Sequence, residues 1–237
     1  MSHESHCFAD RVDAGRRLAA AIAREGIADP LVMALPRGGV PVAFEVAAIL
    51  GAPLELLIVR KIGAPGHAEF GLGALVDGDE PQLVLNAEAM RLVKPSKAYL
   101  EAETARQRLE LERRRTLYLG DRPRISAEKR NVVIVDDGIA TGGTVRAAVQ
   151  ALRKAGAAAL IVAVPVAPPS AIASLRRQID RLVCLATPNP FHAVSIHYDD
   201  FEQTTDAEVI ALMRRAKGEN TPSQVGNAAK SSDENEA

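Results

Sequence analysis

The sequence predicts an α/β protein with a mainly parallel sheet and helices on both faces. Short apolar runs typical of buried strands, such as residues 31–35 and 132–135, alternate with stretches of helical periodicity. Glycines end several of the helical stretches, as Gly51 and Gly156 do. Repeated alternation of strands and helices gives a parallel sheet with a helical layer on each side, and such sheets bind ligands beyond the carboxyl ends of their strands.

The N-terminal part of the chain is predicted to contain a βαβ unit. Apolar side chains at helical spacing predict a first helix over residues 8–25, which ends at Gly26. The elements predicted after it are a strand at 31–35, a helix at 41–50, a strand at 54–59 and short strands near 74–76 and 83–85. Residues 63–73 contain four glycines and a proline without clear periodicity, so we expect a mobile loop there.

A charged helix is predicted over residues 96–118. Glu110 precedes Arg114 by one turn, which is the favourable order for an ion pair. The run Arg113-Arg114-Arg115 could suggest nucleic-acid binding, but interleaved glutamates are typical of a solvated helix face. The later predicted elements are a strand at 132–135, a helix at 144–155, a strand at 160–164, a short helix opened by Pro168-Pro169, a strand at 182–185 and a last helix begun by Thr205.

The composition excludes several classes of function. The 29 lysines and arginines almost balance the 30 aspartates and glutamates, so no overall basic field favours nucleic acid or an anionic membrane surface. Cys7 and Cys184 lie far apart and form no C-x-x-C pattern, so the sequence supports neither a disulfide framework nor a zinc knuckle, and a reducing compartment fits best. There is no apolar signal region and no apolar run near the ~20 residues that span a bilayer, so we expect a cytoplasmic protein.

One domain is expected over residues 1–217, followed by a disordered tail at 218–237. The tail is rich in asparagine, serine, glutamate and alanine, and Val225 is its only large apolar side chain. Burial could not offset the entropy lost on ordering such a segment.

The most informative segment follows the strand at 132–135 and contains two acids and a run of small residues. Adjacent carboxylates at the edge of a sheet, here Asp136 and Asp137, suit the vicinal hydroxyls of a ribose and the waters around Mg²⁺. The next residues let backbone amides converge at the start of a helix, whose positive end favours a phosphate dianion. They are Gly138, Ile139, Ala140, Thr141, Gly142, Gly143 and Thr144. A Walker loop would need lysine at Thr144, a dinucleotide fingerprint lacks the acidic pair, and the structural alternative is a plain strand-to-helix turn.

This segment resembles the loop that binds phosphoribosyl pyrophosphate (PRPP) in type I phosphoribosyltransferases. The resemblance implies that Asp136 and Asp137 bind the ribose hydroxyls, with Mg²⁺ held mainly by PRPP and water near these two acids. It implies that the 5-phosphate is bound by Ala140, Thr141, Gly142, Gly143 and Thr144. The compatible order of elements extends from about residue 31 to residue 185. The chain is most similar to the uncharacterised bacterial phosphoribosyltransferases that share its Pro-Arg-Gly-Gly-Val segment.

Two basic segments are predicted to take part in the reaction. Arg37, Gly38 and Gly39 follow the first strand, where this family places its pyrophosphate-binding loop. Lys61, with Arg60 beside it, ends the second strand and resembles a basic pair that several members place near the pyrophosphate. The catalytic residues implied by the resemblance are Lys61, Arg37 and Asp137.

The resemblance also implies a lid and a hood around the acceptor. The loop at 63–73 would serve as the catalytic lid, in which His67 or Glu69 could face the reacting centre. A small C-terminal hood near 187–204 would cover the acceptor. Its candidate contacts are Phe191 and Tyr198, which either stack on a ring or pack into the core, and His192 and His197. No motif there matches a purine, orotate or uracil enzyme, so the acceptor base stays open.

The expected function is transfer of a 5-phosphoribosyl group from PRPP to a nitrogenous base or related acceptor, with release of pyrophosphate and with Mg²⁺ as cofactor. The expected partners are these small molecules and, in a homodimer, a second copy of the chain. A PRPP- or nucleotide-sensing regulator without turnover is the alternative, and a scaffold with an idle pocket is a third hypothesis. Lys61 and the glycine-rich loop favour the enzyme.

Overall fold

The computed structural model describes residues 7–218. In this range a five-stranded parallel sheet has the order β2-β1-β6-β7-β8, and a three-stranded antiparallel sheet has the order β3-β4-β5. The strands are β1 (Pro30–Ala34), β2 (Leu54–Leu56), β3 (Val59–Ala64), β4 (His67–Val76), β5 (Gln82–Leu85), β6 (Asn131–Val135), β7 (Ala159–Val166) and β8 (Arg181–Ala186). The α-helices are α1 (Arg11–Ala23), α2 (Gly39–Leu50), α3 (Ala87–Val93), α4 (Lys97–Leu119), α5 (Gly143–Lys154), α6 (Pro169–Leu175) and α7 (Asp206–Ala216). The predicted α/β fold is confirmed.

Helices cover both faces of the parallel sheet, as predicted. Val133 and Val135 of β6 pack in one apolar cluster with α1, α2 and α7. Val132 and Ile134 pack in a second cluster, on the other face, with α5 and α6. A central strand that is buried on both faces needs a continuous apolar run, which explains the composition of β6.

The central strands β1 and β6 bring two polar loops to one edge of the sheet. They pair in parallel, with Ala34 opposite Val135. The backbone N–H of Leu35 continues the ladder by donating to the Val135 carbonyl at 2.9 Å. Since both strands run in the same direction, the loops that begin at Pro36 and Asp136 leave the sheet at the same end.

The prediction of a mobile loop over residues 63–73 is wrong. This segment lies in an antiparallel hairpin of β3 and β4, which turns between Ala64 and His67. Its glycines allow the strands to approach closely, because a β-carbon on Gly73 would lie 2.2 Å from the Val84 carbonyl oxygen of β5. Glycine-rich sequence is typical of mobile loops and of closely packed strands alike, and the second case applies here.

The stretch predicted as one strand at 54–59 is divided between the two sheets. β2 ends at Leu56 and pairs with β1, whereas β3 begins at Val59 and pairs with β4. The short helix α3 was missed by the sequence analysis. Its N-cap, Asn86, accepts hydrogen bonds from two backbone amides of the first turn.

No helix within residues 7–218 combines the length and the apolar character needed to cross a membrane. The longest helix there, α4, has 23 residues and is lined with charged side chains. Apart from Gly218, the tail predicted at 218–237 lies outside the described residues, so its disorder stays a prediction.

Replacing Gly73 by alanine should lower the free energy of unfolding by roughly 1–3 kcal/mol, because the added methyl overpacks the contact with β5. Gly78→Ala is the matched control, since a β-carbon there meets only the Glu80 carbonyl oxygen, at 3.4 Å. The control should change the free energy by no more than about 0.5 kcal/mol. Urea unfolding measures both values, and equal stability of the two variants would contradict the packed hairpin.

Candidate functional site

The two predicted acids follow β6 directly and lie largely out of solvent. Oδ1 of Asp136 accepts a hydrogen bond from the Asp137 backbone N–H at 3.0 Å. The side chain of Asp137 is 15% exposed, and its Oδ2 lies 2.9 Å from Nε of Arg11. Burial raises the pKa of Asp136 well above its ordinary value, and the neighbouring Asp137 carboxylate raises it further. Burial also raises the pKa of Asp137, against the opposing effect of the Arg11 guanidinium.

The predicted pyrophosphate loop packs against this acid pair. A β-carbon on Gly38 would lie 2.0 Å from Oδ2 of Asp137, and one on Gly39 would lie 2.9 Å from Cα of Asp136. Both distances are too short for a real side chain, so the contact requires glycine at both positions. The structure therefore brings four of the predicted site residues together.

The side chain of Arg37 pairs with Asp206 at the start of α7. Nη1 of Arg37 lies 3.3 Å from Oδ1 of Asp206, and the Tyr118 hydroxyl donates to the same oxygen at 2.7 Å. The hydrogen bond from Tyr118, and then the one from Arg37, lower the pKa of Asp206. The Arg37 side chain is 31% exposed, so a ligand can still reach it.

The predicted phosphate cradle forms the exposed start of α5. Gly142 precedes the helix with φ of 72°, a left-handed conformation that favours glycine. Ala140, Thr141, Gly143 and Thr144 are all exposed to solvent. The first amides of a helix have no partner within it, and the helix dipole adds positive potential at the same end. The cradle therefore combines exposed threonines with the amide end of a helix, the kind of site at which phosphates bind in proteins.

Arg146 adds a cation beside the cradle, which the sequence analysis missed. It lies in the first turn of α5 and donates from Nη1 to the Thr141 carbonyl oxygen at 2.7 Å. No carboxylate within residues 7–218 lies at ion-pair distance from its guanidinium. Its charge is therefore available to an anion in the cradle.

A cavity of about 830 Å³ opens between the cradle and the antiparallel sheet. Its charged and hydroxyl-bearing lining residues are Arg60, Lys61 and Glu69 of the hairpin and Thr141, Thr144 and Arg146 of the α5 start. Three cations and one carboxylate give this cavity a positive field, although the chain as a whole is nearly neutral. The acid pair and the Arg37 loop do not line it.

The two basic residues of β3 have different partners. Nζ of Lys61 lies 3.2 Å from Oε2 of Glu69 and also donates to the Glu69 carbonyl. Nε of Arg60 donates at 3.0 Å to Oε1 of Gln107, whose side chain is buried. Nε2 of Gln107 donates in turn to Oε1 of Glu103 at 2.9 Å. Within the described range, no carboxylate lies at ion-pair distance from Arg60. Gln107 therefore fixes Arg60 at the cavity wall without neutralising it.

The segment predicted as the hood packs directly onto the loop after β6. Tyr198 is 2% exposed, and its hydroxyl donates to the Asp137 carbonyl oxygen at 2.6 Å. Val194 covers Gly138, where a β-carbon would lie 2.5 Å from Cγ1 of the valine. Of the two predicted alternatives for Tyr198, packing into the core is the one observed.

The other side chains predicted for the hood are more accessible. The rings of Phe191 and His197 are half-buried and stack with their centroids 5.6 Å apart. His192 is exposed. Contact of these three side chains with an acceptor stays a prediction.

Arg11, the first residue of α1, is a further site residue that the sequence analysis missed. Besides its contact with Asp137, it donates from Nη1 to the Glu202 carbonyl oxygen at 2.7 Å. Its guanidinium lies 3.8 Å from the centre of the Phe201 ring. Arg11 and Asp137 are 126 positions apart, so no local pattern could have indicated the pair.

Comparison with known proteins identifies the family. Residues 8–200 match the family model described as the phosphoribosyl transferase domain. The chain belongs to this family. The predicted resemblance to phosphoribosyltransferases is thereby confirmed, over more than half of the sequence.

Proteins similar to this phosphoribosyl transferase domain occur in Mycobacterium tuberculosis and Thermus thermophilus. Two proteins of Mycobacterium tuberculosis, from strains CDC 1551 / Oshkosh and H37Rv and both named putative phosphoribosyl transferase, are 46% identical to it over 209 residues. The match covers 88% of this chain and 47% of each relative, so the chain spans about half the length of these curated proteins. The crystal structure of TT1426 from Thermus thermophilus is 45% identical, with a TM-score of 0.77 over 88% of this chain and 98% of that chain.

Replacing Tyr198 by phenylalanine should lower the free energy of unfolding by about 1 kcal/mol, because the Asp137 carbonyl loses its donor. The ring would keep its contacts with Phe8 and Phe201, at 5.3 and 4.9 Å between centroids. Tyr198→Leu also removes those ring contacts, so it should lower the free energy of unfolding further than Tyr198→Phe does. Urea unfolding measures both variants, and a Tyr198→Phe protein as stable as the parent would show that the hydroxyl does not hold the loop.

Proposed function

We propose that the chain transfers a 5-phosphoribosyl group from PRPP to a nitrogenous base or a related acceptor, with release of pyrophosphate. The observation that carries this proposal is a single loop, residues 136–144, that joins two partly buried acids to the exposed start of a helix. Acceptors for a diol and donors for a phosphate, separated by a few residues, suit a ribose 5-phosphate. Membership of the phosphoribosyl transferase domain family supports the same donor.

The donor would be bound at both ends of this loop. The amides of residues 140–144 and the hydroxyls of Thr141 and Thr144 would bind the 5-phosphate, with Arg146 adding positive charge. Asp136 and Asp137 would accept hydrogen bonds from the ribose hydroxyls. Binding at both ends fixes C1 of the ribose relative to the protein, and such positioning is a major part of catalysis.

Mg²⁺ fits this site as a companion of the substrate. Within residues 7–218 no group of three or more histidine, cysteine, aspartate or glutamate side chains is arranged to hold a metal ion. Asp136 and Asp137 nevertheless supply the carboxylate oxygens that Mg²⁺ and its waters favour. Bound to the diphosphate of PRPP, the ion would neutralise part of the charge on the leaving group.

The proposed reaction needs no protein nucleophile. The bond between C1 and the pyrophosphate oxygen breaks, and its electron pair leaves with pyrophosphate. A lone pair of the acceptor nitrogen forms the new bond to C1, and the proton of that nitrogen is released to water. Arg60 and Lys61 on the cavity wall, together with Arg37, would stabilise the negative charge that develops on pyrophosphate.

A PRPP- or nucleotide-sensing regulator without turnover is the second candidate function. All three side chains predicted to be catalytic already have internal partners, since Asp137 pairs with Arg11, Lys61 with Glu69 and Arg37 with Asp206. A regulator would bind PRPP without releasing pyrophosphate. A scaffold with an idle pocket would bind neither PRPP nor a base.

Thermal unfolding and pyrophosphate detection separate these functions. PRPP with Mg²⁺ at about 100 times its dissociation constant should add ~2.7 kcal/mol to the free energy of unfolding and raise the melting temperature. Ribose 5-phosphate and inorganic phosphate should raise it less. An enzyme also releases pyrophosphate with at least one member of a panel of bases. Equal shifts from PRPP and phosphate would contradict recognition of the ribose and the diphosphate.

Replacing Lys61 by alanine should lower kcat by roughly tenfold or more while changing PRPP affinity much less, because charge accumulates on pyrophosphate in the transition state. Lys97→Ala is the matched control, since Lys97 is 90% exposed and Glu101 on α4 is its only ion-pair partner within residues 7–218. The control should keep the parental kinetics. A loss of PRPP affinity that exceeds the loss of kcat would assign Lys61 to binding and contradict its catalytic role.

A further inference from the structure

Arg11 joins three parts of the chain at the proposed ribose site. It begins α1, its Nε donates to Asp137 after β6, and its Nη1 donates to the Glu202 carbonyl before α7. The face of its guanidinium is covered by the Phe201 ring at 3.8 Å. Only 12% of the side chain is exposed. The two hydrogen bonds and the stacking on Phe201 together restrict the guanidinium to a single orientation.

Asp137 is restrained in turn on three sides. Arg11 binds its Oδ2, and Gly38 lies against the same oxygen. Tyr198 binds its carbonyl oxygen. A carboxylate with these restraints cannot rotate freely, so the direction in which its other oxygen, Oδ1, can accept a hydrogen bond is fixed by the guanidinium.

We propose that Arg11 is a positioning residue for ribose recognition, which orients the Asp137 carboxylate toward the ribose hydroxyls. This inference rests on the proposed function, because it assumes that the acid pair binds the ribose of PRPP. Arg11 would act on the ribose through Asp137 and would not touch the 5-phosphate. Loss of the Arg11 side chain should therefore weaken the binding of PRPP and leave the binding of inorganic phosphate nearly unchanged. A general loss of stability would weaken the binding of both ligands.

Another arginine of the same helix provides a matched control. Arg17 lies over the Phe8 ring at 4.7 Å and donates to the Cys7 carbonyl, so it also stacks on an aromatic ring and binds a backbone oxygen. It pairs with Asp13 of its own helix, and within residues 7–218 it forms no hydrogen bond or ion pair with Asp136 or Asp137. Arg17→Ala removes the same atoms as Arg11→Ala, without the link to Asp137.

The test compares calorimetric affinities for PRPP with Mg²⁺ and for inorganic phosphate in each folded protein. Arg11→Ala should weaken PRPP binding by about 10- to 100-fold, the range expected for loss of a charge-assisted hydrogen bond, and phosphate binding by less than about twofold. Arg11→Lys retains the charge and should recover part of the PRPP affinity. Arg17→Ala should match the parent for both ligands.

Several outcomes would overturn the inference. They are unchanged PRPP affinity in Arg11→Ala, equal losses for PRPP and phosphate, or an Arg17→Ala variant that behaves like Arg11→Ala. If Arg11→Ala does not fold, Arg11→Lys and Phe201→Leu carry the test, and parental PRPP affinity in both would overturn it. A parent protein that binds PRPP no more tightly than phosphate would instead contradict the proposed function, so the two failures are distinguishable.

Discussion

The site depends on the close contact between two loops that leave neighbouring parallel strands. β1 and β6 end side by side, and the glycines after β1 lie against the acids after β6 with no room for a β-carbon. A side chain at Gly38 would displace the Asp137 carboxylate. Because β6 is buried on both faces, its end cannot move to relieve such a clash. The rigid sheet therefore fixes the position of the acid pair. It also fixes the position of the start of α5, because only a few residues separate this start from the acids.

Apart from Arg37, which pairs with Asp206, the cations of the site form two groups. Arg11, from the N-terminal helix, binds the acid pair. Arg60, Lys61 and Arg146 face the cavity beyond the cradle, and two of these three have no carboxylate at ion-pair distance among residues 7–218. Cations held in place by neutral groups keep their charge for an anion, which is why the positive field is local although the overall charge is balanced.

The features predicted best from the sequence are those that residues adjacent in the chain determine. The apolar run of β6, the two acids and the following glycines are contiguous, so the order of strand, loop and helix could be derived from them. The hairpin of β3 and β4 could not, because Gly73 is required by its close contact with β5 and Gly63 by its close contact with Ala68 of β4, and the sequence pattern does not reveal these contacts. Arg11, Arg146 and Gln107 were missed because an arginine or glutamine on a helix is usually solvated, and only the fold shows what each contacts.

The most direct measurement of the central claim is a crystal structure of the chain with PRPP and Mg²⁺. The account predicts the 5-phosphate within hydrogen-bond distance of the amides of residues 140–144, and the ribose hydroxyls on Asp136 and Asp137. It also predicts the diphosphate beside Arg37 and the β3 cations. A diphosphate in the α5 cradle, or a ribose out of reach of both acids, would contradict the assignment of this loop.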